Sequence, residues 1–81
     1  MSVELSRLRW RCRRGTRELD QMLGGWLERA YPTASLDTRA AFASLLEQQD
    51  PDLWDWLLGN AKAPDPRQQV LIDEIRADHR L

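Results

Sequence analysis

The sequence predicts an all-α fold, a compact single-domain bundle of five helices over residues 1–81. Apolar side chains recur at helical spacing in five separate segments, and no segment shows the sustained alternation of a half-buried strand. Capping residues, prolines and glycines separate these segments. A chain of this length forms one small domain, and its four tryptophans add large apolar side chains to a modest core.

The first predicted helix runs from Ser2 to Arg13 and carries two stripes. One stripe is expected to face the core and consists of Leu5, Leu8 and Cys12. The other recurs at i, i+4, i+7 and i+11 and consists of Val3, Arg7, Trp10 and Arg14. Because the core cannot lie on both sides of a short surface helix, we expect Trp10 to be partly exposed.

A helix–helix corner follows this segment. Gly15 suits the left-handed conformation just past a helix end, where a Cβ would be unfavourable. Thr16 is a plausible N-cap of the second helix, and Glu18 lies in its first turn, near the positive end of the helix dipole. The corner is therefore expected to display a cation, a bare backbone and an anion.

The second helix has the strongest helical periodicity in the chain. Its apolar side chains are Leu19, Met22, Leu23, Trp26, Leu27 and Ala30. Gly24 and Gly25 inside it destabilise the helix by about 1 kcal/mol each relative to alanine. We interpret close approach of a neighbouring helix as the compensation, with a kink as the alternative. Tyr31-Pro32 ends the helix, since a residue before proline avoids helical backbone.

Three shorter helices complete the bundle. Ser35 is the predicted N-cap of the third, and Asp50 and Asp65, each followed by proline, are the predicted N-caps of the fourth and fifth. The inner side chains of the third and fifth are Phe42, Leu45, Leu46, Leu71, Ile72 and Ile75. Those of the fourth are Leu53, Trp54, Leu57 and Leu58, with Trp56 off the stripe and Gly59-Asn60 at the end. Residues 61–64 form a linker, and residues 78–81 are expected to fray.

Charge is distributed unevenly along the chain. Residues 1–17 carry six arginines against Glu4, a net charge of +5, whereas the remainder carries −6, and the total is −1. A basic arm on an acidic body indicates either a binding surface or neutralisation between helices. The single cysteine, and the lack of a long apolar run or a removable leader, predict a cytoplasmic protein that does not insert into a membrane.

The chain lacks the groups of an independent catalyst. His79 stands alone near a terminus, where a packing or surface role is expected, and Cys12 lies on the inner stripe of the first helix, where small thiols usually pack. Gly24 and Gly25 match no phosphate-binding pattern. We therefore expect no catalytic residue, no metal site and no stably bound cofactor.

The corner has two interpretations. An arginine four residues before a glutamate is the weaker orientation of a helical ion pair, and a surface pair contributes at most about 1 kcal/mol. A guanidinium beside an exposed glycine instead suits docking against carboxylates, backbone carbonyls or a phosphate. The alternative is ordinary capping chemistry with a solvated basic face.

The corner also carries a family resemblance. Residues 14–18 read Arg-Gly-Thr-Arg-Glu and match the Arg-Gly-x-x-Glu motif of the FAD assembly factors of succinate dehydrogenase, called succinate dehydrogenase assembly factor 2 in mitochondria. The flanking Trp10, Cys12 and Asp20 fit the same family. A second block, Asp-Pro-Asp-Leu at residues 50–53 followed by Trp56-Leu57, stands at the expected distance. The resemblance therefore spans nearly the whole chain.

The resemblance implies a function that spacing does not show. Members of this family bind the flavoprotein subunit of succinate dehydrogenase, and in bacteria often that of fumarate reductase, and promote covalent attachment of FAD to a histidine of that subunit. It implies that FAD belongs to the partner and that Arg14, Gly15 and Glu18 are the functional residues. The surrounding residues that we add as a rim are Arg7, Trp10, Arg11 and Asp20. We expect a monomer, although an exposed Trp10 leaves a dimer open.

The competing interpretation is a small regulatory or antitoxin-like helical protein that binds nucleic acid through its arginine cluster. Phosphate contacts would then dominate, and affinity would fall steeply with salt. The acidic body, the single lysine and the short corner all argue against a recognition helix, so we expect no nucleic-acid partner.

Overall fold

Five α-helices and one short 3-10 helix make up the fold in the computed structural model, which describes residues 3–79. The helices are α1 Val3–Arg11, α2 Arg17–Arg29, α3 Leu36–Leu45, α4 Asp50–Leu57 and α5 Pro66–His79, with the 3-10 helix Tyr31–Thr33 between α2 and α3. No strand occurs in the described range. The predicted all-α fold with five helices is confirmed.

The core forms around α2, which packs most extensively against α5. Trp26 of α2 lies against Phe42 of α3, with ring centroids 4.7 Å apart, and against Tyr31, with centroids 6.3 Å apart and the rings nearly perpendicular. The predicted inner residues of α2, α3 and α5 are buried, except that Ala30 is only partly buried. One continuous apolar cluster therefore holds the corner-forming helix in place.

In α4 the predicted apolar stripe is partly wrong. Trp54 and Leu58 are 37% and 39% exposed, whereas Trp56 is 9% exposed and joins the core with Leu53 and Leu57. The buried face is the i, i+3, i+4 set that begins at Leu53. Two overlapping stripes fit so short a helix equally well, and packing against the neighbouring helices selects one of them.

The helix starts also differ in part from the sequence prediction. The Ser35 hydroxyl accepts a hydrogen bond from the Thr38 backbone N–H at 3.1 Å, which confirms that cap. Thr16 occupies the N-cap position of α2, but its side chain makes no capping hydrogen bond. The N-cap of α4 is Gln49, so Asp50 is the first residue of that helix rather than its cap.

The glycine pair in α2 does not mark the approach of another helix. A Cβ built on Gly24 would meet nothing within 4 Å, and one built on Gly25 would lie 2.6 Å from Nη2 of Arg29, a residue of the same helix. That guanidinium binds Asp78 of α5, with Nη2 and Oδ2 2.6 Å apart. The close-approach interpretation is therefore wrong, and Gly25 instead leaves room for an arginine that links α2 to α5.

The ends of the helical segments are shorter or longer than predicted. Helix α1 ends at Arg11 rather than Arg13, and α5 continues through Asp78 to His79 instead of fraying at Asp78. The Arg29 ion pair gives that last turn a tertiary contact with α2. The predicted start at Ser2 and the predicted fraying of residues 80–81 lie outside the described residues.

Candidate functional site

The corner between α1 and α2 turns at Gly15. Its φ of +83° lies in the left-handed region, which confirms the predicted conformation, and the residue is exposed. A Cβ added at this position would meet nothing within 4 Å. The backbone is therefore open to solvent, and only conformational strain opposes a side chain here.

The side chain of Arg14 turns inward, and it is only 15% exposed. Its Nε donates to Oδ1 of Asp50 at 2.8 Å, its Nη1 to the carbonyl of Leu46 at 2.8 Å, and its Nη2 to the carbonyl of Gln48 at 2.5 Å. Nη1 also donates to the carbonyl of Arg11 at 3.1 Å. The guanidinium thus connects the corner to the turn between α3 and α4.

A second contact holds the backbone of the corner. The Arg14 N–H donates to Oδ1 of Asp20 at 2.6 Å, and Asp20 is partly buried in the first turn of α2. Because a carboxylate is also favourable near the positive end of a helix, Asp20 stabilises both the helix start and the turn that precedes it.

Glu18 is the exposed anion of the corner. Its side chain is 54% exposed, and its Oε2 lies 3.9 Å from Nε2 of His79 at the end of α5. Among the described residues it forms no ion pair with Arg14, whose guanidinium is directed toward α3 and α4. Glu18 and His79 line a small hollow together with Leu58, the residue that follows α4.

The outer face of α1 carries the remaining predicted site residues. Trp10 is 73% exposed, as expected, and Arg7 and Arg11 are exposed beside it. The three residues line one shallow hollow with Val3 and Ser6. This face is basic and apolar together, which suits a protein surface that offers carboxylates around an apolar contact.

The seven predicted site residues thus form two adjoining groups. Arg14, Gly15, Glu18 and Asp20 meet at the corner, whereas Arg7, Trp10 and Arg11 lie along α1. Sequence reasoning missed Asp50 as the anchor of Arg14, because it interpreted this residue as a helix cap and as part of the second family block. The nearest signal was the resemblance of residues 50–53 to the same family as residues 14–18, but nothing in one sequence pairs the two segments.

Other reactive groups do not add chemistry to this site. Burial raises the pKa of the Cys12 thiol to about 12, so it is neutral and unreactive at physiological pH. Within residues 3–79 no cluster of His, Cys, Asp or Glu has the makings of a metal site. Over the same range, every helix is too short or too polar to cross a bilayer.

Comparison with known proteins identifies the family. The family model described as "Flavinator of succinate dehydrogenase", Sdh5, matches residues 6–79, which include both the corner and α4. The chain belongs to this family. The family match is consistent with the resemblance noted in the sequence.

Several curated relatives cover most of the chain. A protein of Methylococcus capsulatus is 45% identical over 88% of this chain and 86% of its own length. Proteins of Shewanella oneidensis and Xylella fastidiosa are 34% and 42% identical, over 91% and 93% of this chain and 90% and 77% of their own lengths. All three are named "FAD assembly factor SdhE", the name of an assembly factor rather than of an enzyme.

Proposed function

We propose that this protein binds the flavoprotein subunit of succinate dehydrogenase and promotes the covalent attachment of FAD to a histidine of that subunit. Family membership over residues 6–79 is the observation that carries the proposal. The description of the family mentions succinate dehydrogenase, and the names of the relatives mention FAD. The bond-forming chemistry and the FAD belong to the partner. This chain contributes no catalytic residue, metal or stably bound cofactor.

The proposed docking site is the α1–α2 corner with the adjoining face of α1. Glu18 offers an exposed carboxylate, and Gly15 offers a backbone that a partner can approach without meeting a side chain. Arg14 belongs to the same corner, with its guanidinium bound to Asp50 and the α3–α4 turn. The rim consists of Arg7, Trp10, Arg11 and Asp20.

The proposed mechanism is stabilisation of one conformer of the flavoprotein. A binding protein shifts a conformational equilibrium only by its differential affinity for the two states. The corner would bind the flavoprotein near its flavin pocket in the flavinylation-competent arrangement and favour that arrangement. We propose further that residues 1–81 act as one domain, as a monomer in the cytoplasm, and that the flavoprotein of fumarate reductase is a second partner.

Glu18→Ala tests the proposal. Loss of one charged contact at a docking site typically weakens binding about tenfold or more, so we expect weak retention of the purified flavoprotein and slower covalent FAD incorporation in cells that lack the native factor. Glu74→Ala, at an exposed glutamate of α5 away from the corner, is the matched control. Normal flavinylation with folded Glu18→Ala would rule out the corner as the active surface.

Nucleic-acid binding through the arginine cluster is not proposed. Arg9 pairs with Glu28 at 2.9 Å and Arg14 with Asp50, so the cluster does not form one free cationic face. A gel shift titrated with salt, run beside the flavoprotein pull-down, provides the check. A steeply salt-dependent shift without flavoprotein retention would reverse this preference.

A further inference from the structure

Arg14 belongs to a motif whose exposed neighbours suggest a partner contact, yet its own guanidinium is enclosed. Its three nitrogens donate to acceptors in the segment 46–50, and 15% of the side chain remains exposed. In the described residues no buried side-chain nitrogen or oxygen lacks a hydrogen-bond partner. Together with the Nη1 contact to the carbonyl of Arg11, these bonds use four of the five N–H groups of the guanidinium.

The acceptors around Arg14 share a structural origin. Helix α3 ends at Leu45, and the carbonyls of Leu46 and Gln48 belong to the turn that follows, where a helix end leaves carbonyls without intrahelical donors. Asp50 begins α4, where the positive end of the helix favours a carboxylate. The guanidinium therefore satisfies one helix end and pairs with the start of the next.

We infer that Arg14 is a positioning residue, held by Asp50 and the α3–α4 turn, and that it sets the placement of Gly15 and Glu18 without itself contacting the flavoprotein. The inference rests on the proposed function and names a different role for one residue of that site. A partner that took over these donors would have to replace Asp50 or a backbone carbonyl that the guanidinium already binds.

The arrangement also joins two segments into one surface. The Arg14 side chain spans 36 residues of sequence to reach Asp50, and the exposed Pro51 and Asp52 follow at the start of α4. Meanwhile the Arg14 N–H is fixed by Asp20 in the first turn of α2. The corner and the start of α4 are thereby held in a fixed relative position for the partner.

Hydrogen exchange of the Arg14 amide in the free protein tests the positioning directly. That N–H is bound to Asp20, so its exchange rate reports how firmly the corner is held. In Asp50→Ala we expect exchange to accelerate about tenfold, because a hydrogen bond to a charged group is lost. Asp50→Asn keeps an acceptor for the Arg14 Nε and is expected to restore most of the protection.

Binding to the purified flavoprotein supplies the second measurement, at a temperature where circular dichroism shows each variant folded. We expect Asp50→Ala to weaken binding about tenfold and the double variant with Arg14→Ala to bind no worse than Arg14→Ala alone, because both remove the same link. Arg14→Lys, a milder change, is expected to weaken binding as well, since an ammonium lacks the fork that reaches three acceptors.

Arg39→Ala is the matched control for a merely structural arginine. Arg39 also donates to backbone carbonyls, those of Tyr31 at 3.1 Å and Pro32 at 2.7 Å, but away from the corner. It is expected to leave both the exchange rate and the binding unchanged.

Two results would overturn the positioning role: unchanged Arg14 exchange in Asp50→Ala, or binding losses of Arg14→Ala and Asp50→Ala that add fully. If Glu18→Ala binds normally, the proposed docking site at the corner fails instead, and if the wild-type protein does not retain the flavoprotein, the proposed function fails. If Glu18→Ala loses binding to the flavoprotein and Asp50→Ala binds normally, only the positioning role of Arg14 is overturned.

Discussion

The residues of the Arg-Gly-x-x-Glu motif have different structural roles. Arg14 is enclosed by acceptors from α3 and α4, Gly15 supplies a left-handed turn, and Glu18 remains exposed. A short motif at a helix–helix corner combines a packing requirement, a backbone requirement and a surface requirement. If substitutions at these positions impair the proposed function, we therefore expect the physical cause to differ from one position to the next.

Substitution of Gly15 separates conformational strain from surface contact. Because a new Cβ would meet open space, we expect Gly15→Ala to destabilise the fold by about 1 kcal/mol through the positive φ alone. Gly15→Asn should cost less, since asparagine tolerates that conformation. Urea unfolding measures both variants, and a loss above about 3 kcal/mol would show a steric clash that the structure lacks.

The same two variants also probe the docking site. If a partner approaches the Gly15 backbone closely, the folded Gly15→Asn protein should bind the flavoprotein more weakly than wild type does. This loss should exceed the loss that comes from its smaller folded fraction. Unchanged affinity would show that the partner leaves space at this position.

At the scale of elements, an ion pair links the last turn of α5 to α2. The Arg29 guanidinium hydrogen-bonds the Asp78 carboxylate and lowers its pKa below the usual 3.8. The guanidinium lies over Gly25, where a Cβ would be 2.6 Å from Nη2 of Arg29. From the sequence alone, Gly25 could be interpreted only as an unfavourable helix residue. A Cβ at Gly25 would require the Arg29 guanidinium to shift.

Asp78→Asn should destabilise the protein in a pH-dependent way. A folded-state pKa below the unfolded value means that the stabilisation is present above the unfolded value and disappears as the pH falls through the folded value. We expect the variant to melt about 2–4 °C below wild type at pH 7, an exposed-pair effect, and the gap to close at acid pH below 3.8.

Asp55→Asn, at an exposed aspartate of α4, is the matched control. A melting difference for Asp78→Asn that persists after the carboxylate of the wild type is protonated would show that the ion pair is not its cause.

At the scale of the whole molecule, a small core makes each large apolar side chain important. Phe42 is fully buried against Trp26 and Tyr31, so we expect Phe42→Ala to destabilise the fold by about 3–5 kcal/mol. At about 0.05–0.15 kcal/mol per residue, that loss is a large fraction of the total stability of a domain of this size. Urea unfolding would therefore show a midpoint near zero denaturant or a loss of the cooperative transition.

Leu36→Ala provides the control on the same helix. Leu36 is 81% exposed, and its truncation should change the free energy of unfolding by no more than about 0.5 kcal/mol. A large loss at Leu36 would show that it is covered in solution by something other than this fold.

The helical periodicity of the apolar residues, together with the capping residues, prolines and glycines between them, determined much of this protein. They predicted five helices, the inner residues of α2, α3 and α5, the left-handed Gly15 and the exposed Trp10, because these features depend on neighbours within a few residues. The functional prediction came from the family resemblance, and the family match agrees with that resemblance.

Only the tertiary structure decided the rest. Spacing along an eight-residue helix does not set its rotation against the core, so the exposure of Trp54 and burial of Trp56 depended on how α4 packs. The same limit applies to pairs that are distant in sequence. Arg14 and Asp50 are 36 residues apart, and one sequence contains no signal that joins them. The inward turn of the motif arginine is therefore a property of the folded molecule.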